Sequence, residues 1–225
     1  MPTPGAPYRD RTDAGHRLAK ELAGYRGSPV TVLALPRGGV PLAAIIAEDL
    51  GAPLDILVVR KVGSPGNREY GLGAVAEGGI RFLDRRAIRE LGVTPADVEA
   101  EVQFQIEEID RLVRRFRQGR PAPDLTGRDV VLVDDGVATG GTVRAAIAAA
   151  RLHRPRRVIV AVGVAAPEVI RVLRPLADDL VCPLVPPVLF AVAEWYEQFP
   201  QVSDDEVVRL LERHATPTSV GLPAT

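Results

Sequence analysis

Val130-Val131-Leu132-Val133-Asp134-Asp135-Gly136-Val137-Ala138-Thr139-Gly140-Gly141-Thr142 is the stretch whose reading decides the fold. Its first four residues are aliphatic, three of them β-branched, and read as a strand buried on both faces. Two carboxylates close the strand and a Gly/Thr loop follows. Val143 to Ala150 is then Ala-rich and predicts a helix. Similar apolar runs occur at Val30–Leu35, Asp55–Val59 and Val158–Val164, with a weaker one at Asp179–Cys182. Helical patterns lie between most of them, at Val40 to Leu50, Val143 to His153 and Glu168 to Leu173. Continuous strands alternating with helices predict an α/β fold with a doubly wound, mostly parallel sheet.

In such a sheet, ligands bind where strands end and helices begin. A loop entering a helix there offers free backbone N–H groups and the positive end of the helix dipole. Thr139 and Thr142 add hydroxyl donors, and Gly140 and Gly141 let the backbone close around an anion. Asp134 and Asp135 are acceptors, suited to a pair of hydroxyls or to a metal ion. A sugar phosphate with a free vicinal diol satisfies all of these groups together. Competing motifs fall away. No Gly-Lys-Ser/Thr is present, which excludes a Walker-type triphosphate loop. Gly71-Leu72-Gly73-Ala74-Val75-Ala76 mimics a dinucleotide fingerprint but follows a polar loop, and reads as chance.

The thirteen-residue run resembles the phosphoribosyl-pyrophosphate (PRPP) signature of the type I phosphoribosyltransferases. The resemblance implies that Asp134 and Asp135 hold the ribose hydroxyls, and that the loop Ala138, Thr139, Gly140, Gly141, Thr142 cradles the 5′-phosphate. Leu35-Pro36-Arg37-Gly38-Gly39-Val40-Pro41 ends the first strand and opens a helix, and is similar to the family's pyrophosphate loop. A non-proline cis peptide is common in that loop, which singles out Pro36–Arg37. Arg37 would bring a forked cation and Gly38 and Gly39 free N–H groups. Arg60 to Gly71 is rich in Gly, Ser, Pro and Asn and reads as a mobile loop. The resemblance makes it a lid over pyrophosphate, with Arg60 and Lys61 at its fixed end as better candidates than Arg68. It also implies transfer of phosphoribosyl to a nitrogenous acceptor, with Mg²⁺ as cofactor. Asp134 and Asp135 would meet that ion indirectly, through substrate or water. Arg37, Lys61 and Asp135 would be the catalytic residues.

One departure matters. Hypoxanthine/guanine members carry an Asp, proposed as general base, where this chain has Ala138, so no base comes from this loop. The family's variable hood corresponds to 183–200, where Phe190 and Trp195 are candidates for stacking on a base. Four of the chain's ten aromatic residues cluster there, and a small satellite core is the equal alternative.

The remaining features bound the answer. A single domain over 8–215 is expected, with a helical insertion at 84–118 and disordered ends, the tail running from 216 to 225. From Asp97 to Gln118 apolar residues recur at helical spacing, with acids early and arginines late. A core-covering helix is the favoured reading, ahead of a lid or dimer contact. The net charge of −1 gives no global attraction to nucleic acid or membrane, so any phosphate affinity is local. Neither a leader nor a spanning segment is read, and a cytoplasmic location follows as the expectation. Cys182 reads as a buried hydrophobe. His16, His153 and His214 lack metal-ligand spacing. A homodimer is the family habit only. The alternative to an enzyme is a PRPP-binding regulator with little turnover; retained Arg37 and Lys61 favour the enzyme.

Overall fold

The computed structural model describes residues 7–64 and 67–214, with 67–70 as backbone only. Pro65, Gly66, the side chain of Arg68, the leading residues 1–6 and the tail from 215 lie outside the described residues. In chain order come α1 (Arg11–Glu21), β1 (Val30–Ala34), α2 (Gly39–Leu50) and β2 (Leu54–Ile56). Next are β3 (Val59–Ser64), β4 (Asn67–Ala76), β5 (Ile80–Leu83), α3 (Arg85–Glu90) and α4 (Pro95–Arg117). Then follow β6 (Asp129–Asp134), α5 (Gly141–Leu152), β7 (Arg157–Val162), α6 (Pro167–Leu173), β8 (Asp179–Val181) and α7 (Asp204–Arg213).

The main sheet has the order β2-β1-β6-β7-β8, and every pairing is parallel. Side-chain alternation explains why its strands are apolar throughout. Val30, Val32 and Ala34 of β1 join one core while Leu33 joins the other; in β6, Val131 and Val133 face one way and Val130 and Leu132 the other. Helices α1, α2, α4 and α7 close the first core, and α5 and α6 the second. Helices α2 and α5 therefore leave β1 and β6 toward opposite faces. The crevice between the carboxyl ends of these adjacent strands is the topological switch point, where an open α/β sheet takes its ligand.

Two corrections follow. The apolar run Asp55–Val59 is not one strand: β2 ends at Ile56, and Val59 opens a second, antiparallel sheet of order β3-β4-β5. The expected mobile loop from Arg60 to Gly71 lies on the two arms of this hairpin, with Lys61 opposite Ala74. The Gly71–Ala76 run is the second half of β4. Gly73 is needed there because its φ is +151° and a Cβ would sit 2.1 Å from the carbonyl oxygen of Phe82.

The segment 84–118 holds the two helices α3 and α4. Thr94 caps α4 by accepting from the Asp97 N–H, and Pro95 occupies its first turn. Its apolar stripe (Val98, Val102, Ile109, Phe116) is buried within the chain, against β3, β4 and α7. Its last turn is anchored by Arg117, whose side chain is 6% exposed. Arg117 donates to the Asp55 carboxylate at 2.9 Å and to the Ile56 carbonyl at 2.9 Å, and pairs with Glu77. That bond set ties the insertion to β2 and to the hairpin. No helix among the described residues is long and apolar enough to cross a membrane. Removing Arg117 would leave two carboxylates without their cation. We expect Arg117→Ala to cost about 3–5 kcal/mol of stability by urea unfolding; a loss under about 1 kcal/mol would mean the network is solvated.

Candidate functional site

The site begins with two missing side chains. A Cβ on Gly38 would lie 2.1 Å from Asp135 Oδ2, and one on Gly39 would lie 2.3 Å from the Val133 carbonyl oxygen. Only glycine lets the loop after β1 rest directly on the end of β6. The Leu35 N–H donates to that same Val133 carbonyl at 2.8 Å, extending the β1–β6 register into the loop. The Pro36–Arg37 peptide is cis.

The two acids at the end of β6 have different partners. Asp135 is gripped by Arg11 of α1, whose Nε and Nη2 both lie 2.9 Å from Oδ2, with the side chains 11% and 13% exposed. Arg11 also donates to the Pro200 carbonyl at 2.6 Å, and its guanidinium lies 3.7 Å from the centroid of the Phe199 ring. The Tyr196 hydroxyl donates to the Asp135 carbonyl at 2.6 Å, and the Tyr196 ring stacks between Tyr8 and Phe199. Asp135 is thus pinned at both side chain and backbone. Asp134 has no cation in salt-bridge contact among the described residues; its Oδ1 accepts the Asp135 N–H at 2.9 Å and the residue lines a cleft. Burial, and then the charge of Asp135, hold the Asp134 carboxyl well above the usual carboxylate range. Burial also raises Asp135, against the opposing pull of Arg11.

Two open clefts meet at this point. The smaller, about 520 Å³, is lined by Pro36, Arg60, Lys61, Gln105, Asp134 and Thr142 among others. The larger, about 810 Å³, has Lys61, Thr139 and Gly141 on its wall. Lys61 and the loop 138–142 separate the two. Gly140, at φ +80°, turns the chain into α5, so the loop's last residues form that helix's first turn. The arrangement offers one carboxylate on a cleft wall, Asp134, with Asp135 beside it lining neither cleft, a helix N-terminus for an anion and one lysine shared between both spaces. No group of three or more His, Cys, Asp or Glu residues could cage a metal among the described residues.

The phosphoribosyl transferase domain model matches residues 9–198. The chain belongs to this family. It is 45% identical over 206 residues to two Mycobacterium tuberculosis proteins, "Putative phosphoribosyl transferase Rv0571c" of strain H37Rv and its counterpart MT0597 of strain CDC 1551. The match takes in 92% of this chain, which spans about half the length of these relatives, 46% in each case. Among solved structures, TT1426 from Thermus thermophilus superposes with a TM-score of 0.80 at 44% identity. That superposition covers 93% of this chain and all of the other.

Of the residues singled out from the phosphoribosyl transferase signature, the fold gathers Asp134, Asp135, Gly38, Gly39, Lys61 and the loop 138–142 at one switch point. Arg60 lines the cleft and is held by Gln105 of α4, its Nε 3.0 Å from Oε1. Arg37 lines neither cleft. Its guanidinium sits 3.4 Å from Asp204 with 42% of the side chain exposed, a contact worth about 0–1 kcal/mol that an anion can displace. Phe190 and Trp195 also line neither cleft. Phe190 is 83% exposed, and Trp195 is half-buried against the first core. Within 183–200 it is Tyr196 and Phe199 that act on the site, through Asp135 and Arg11. Sequence reading missed Arg11 and Tyr8, because their partners lie 124 and 155 residues away.

Two outcomes are expected. Gly39→Ala meets rigid backbone and Gly38→Ala meets a side-chain tip, so thermal unfolding should show the larger loss for Gly39→Ala, within the ~1–3 kcal/mol typical of overpacking. Equal, negligible losses would refute the close approach. Arg11→Ala removes the influence that lowers Asp135, so the acid limb of ligand binding should move to higher pH. An unchanged limb would show that Arg11 does not set that carboxyl.

Proposed function

We propose that this chain transfers the 5-phosphoribosyl group of PRPP to a nitrogenous acceptor and releases pyrophosphate. The observation that carries this reading is the paired acid, Asp134 beside Asp135, directly ahead of the 138–142 loop and across the cleft from Lys61. In the proposed reaction the acceptor nitrogen forms a bond to C1 of the ribose as the C1–oxygen bond to pyrophosphate breaks. The electron pair leaves with pyrophosphate, and the proton from nitrogen passes to solvent or to a base outside the loop, since Ala138 supplies none. Asp134 and Asp135 accept from the ribose hydroxyls, while loop N–H groups and the hydroxyls of Thr139 and Thr142 donate to the 5′-phosphate. Binding at these two ends fixes C1 in place, so that affinity becomes orientation at the reacting atom. Lys61 and Arg60, held on the hairpin, are placed to meet charge developing on the leaving group.

The acids fit Mg²⁺ only as an ion held largely by substrate and water, since Asp135 is committed to Arg11 and no third acid among the described residues completes a cage. When bound, Mg²⁺ would offset charge on pyrophosphate. One observation favours the second reading, a PRPP-binding sensor: Arg37 rests on Asp204 rather than in the cleft.

Mixing the protein with PRPP, Mg²⁺ and a panel of purines, pyrimidines and amines should release pyrophosphate with one acceptor class. Asp134→Asn and Asp135→Asn should each weaken PRPP binding by about 1.5–3 kcal/mol. Binding without release across the panel would establish the sensor. PRPP binding unchanged in both variants would overturn the diol assignment.

A further inference from the structure

The larger cleft carries more positive charge than one 5′-phosphate can answer. Besides Lys61, Thr139 and Gly141 it is lined by Arg85, Arg86 and Arg89 of α3 and by Arg144 of α5. Its one carboxylate among the described residues, Asp84, is occupied. Its Oδ1 accepts the N–H groups of Arg86 and Ala87 as the cap of α3, and these bonds hold its carboxyl below the usual range. Arg86 pairs with Glu90 at 2.7 Å. Lys61, Arg85, Arg89 and Arg144 have no carboxylate in salt-bridge contact among the described residues. Arg144 lies over the Phe82 ring at 4.8 Å, and its Nε is buried with no acceptor.

A phosphate monoester brings at most two negative charges. Besides Lys61, which the proposed reaction already uses, three arginines (Arg85, Arg89 and Arg144) without a carboxylate in salt-bridge contact among the described residues surround a space of about 810 Å³ that opens off the loop. Arginine forks match phosphoryl oxygens in pairs, and a charged donor buried without an acceptor is costly to maintain. We propose that this cleft is a second phosphoryl subsite. It takes the outer phosphates of a ribonucleoside 5′-di- or triphosphate whose first phosphate sits on loop 138–142 and whose diol meets Asp134 and Asp135. The ligand class rests on the reading given under Proposed function, and such a nucleotide excludes PRPP. The hairpin and α3 would then act as a gauge of nucleotide charge on the active site.

The test is calorimetric titration of the whole chain with AMP, ADP, ATP, PRPP and inorganic tripolyphosphate, in the native protein and in an Arg85→Ala/Arg89→Ala double variant. Both arginines are exposed on α3, whose Asp84 cap is retained. ATP should bind the native protein at least tenfold more tightly than AMP and should compete with PRPP. The double variant should lose that tenfold preference and keep its AMP affinity. Equal affinities for AMP and ATP, or a preference that survives in the double variant, would overturn the subsite. If PRPP and all three nucleotides fail to bind while tripolyphosphate binds in an arginine-dependent way, the phosphoribosyl reading falls and the anion subsite stands. Tripolyphosphate that does not bind, or binds the double variant as well as the native protein, removes the subsite.

Discussion

The whole site depends on how closely the loop after β1 lies against the end of β6. That approach exists because positions 38 and 39 have no Cβ: one would meet the Asp135 carboxylate and the other the Val133 carbonyl. Strands about 4.8 Å apart are a property of any sheet, but connecting backbone usually lifts away where two chains leave for opposite faces. Here it does not. The β1 loop continues the register for one more residue through the Leu35 N–H, and so brings a free backbone turn alongside two acids and a helix N-terminus.

Fixing one acid sets the geometry of the pair that meets the ligand. Asp135 is bound by Arg11 through two nitrogens, in a pair that is nearly buried, and by Tyr196 through its backbone. Breaking such a pair costs several kcal/mol, whereas the exposed Arg37–Asp204 contact is worth about 1 kcal/mol or less. The magnitudes sort the two arginines: Arg11 is architecture, and Arg37 is available to whatever anion enters. Asp134, buried and without a cation in salt-bridge contact among the described residues, is the acid whose charged form a hydroxyl pair or a substrate-held metal would stabilise.

What is legible in the sequence follows the range of the interactions. The central strands β1, β6 and β7 and the helices α2, α5 and α6 are readable because burial on both faces leaves a continuous apolar run. Strand β2 is too short to separate from β3 within Asp55–Val59, the edge strand β8 gives a weak signal, and α1 and α7 emerge only in the structure. The 134–142 signature is readable because all of its parts are consecutive. The β3-β4-β5 sheet is not, since its strands carry Arg60 and Lys61 on one arm and glycines on the other. Those residues imitate a loop, while the packing that keeps them as strands is supplied by α4 and α5. The aromatic cluster near the C-terminus stands out in the sequence, but its use does not. Tyr196 matters through the Asp135 carbonyl and Phe199 through Arg11, a residue whose helix lies at the opposite end of the chain. The helical insertion reads as cover for the core; that it also holds Arg60 through Gln105 is visible only in three dimensions.

The central claim is that Asp134 and Asp135 recognise a vicinal diol while the adjacent loop holds a phosphate. Its most direct test is to titrate the protein with ribose 5-phosphate and with 2-deoxyribose 5-phosphate, which differ by one hydroxyl. The account predicts binding of the ribose compound at least about tenfold tighter, the effect of one charge-assisted hydrogen bond, with the difference abolished in Asp134→Asn. Equal affinities for the two sugar phosphates would contradict it.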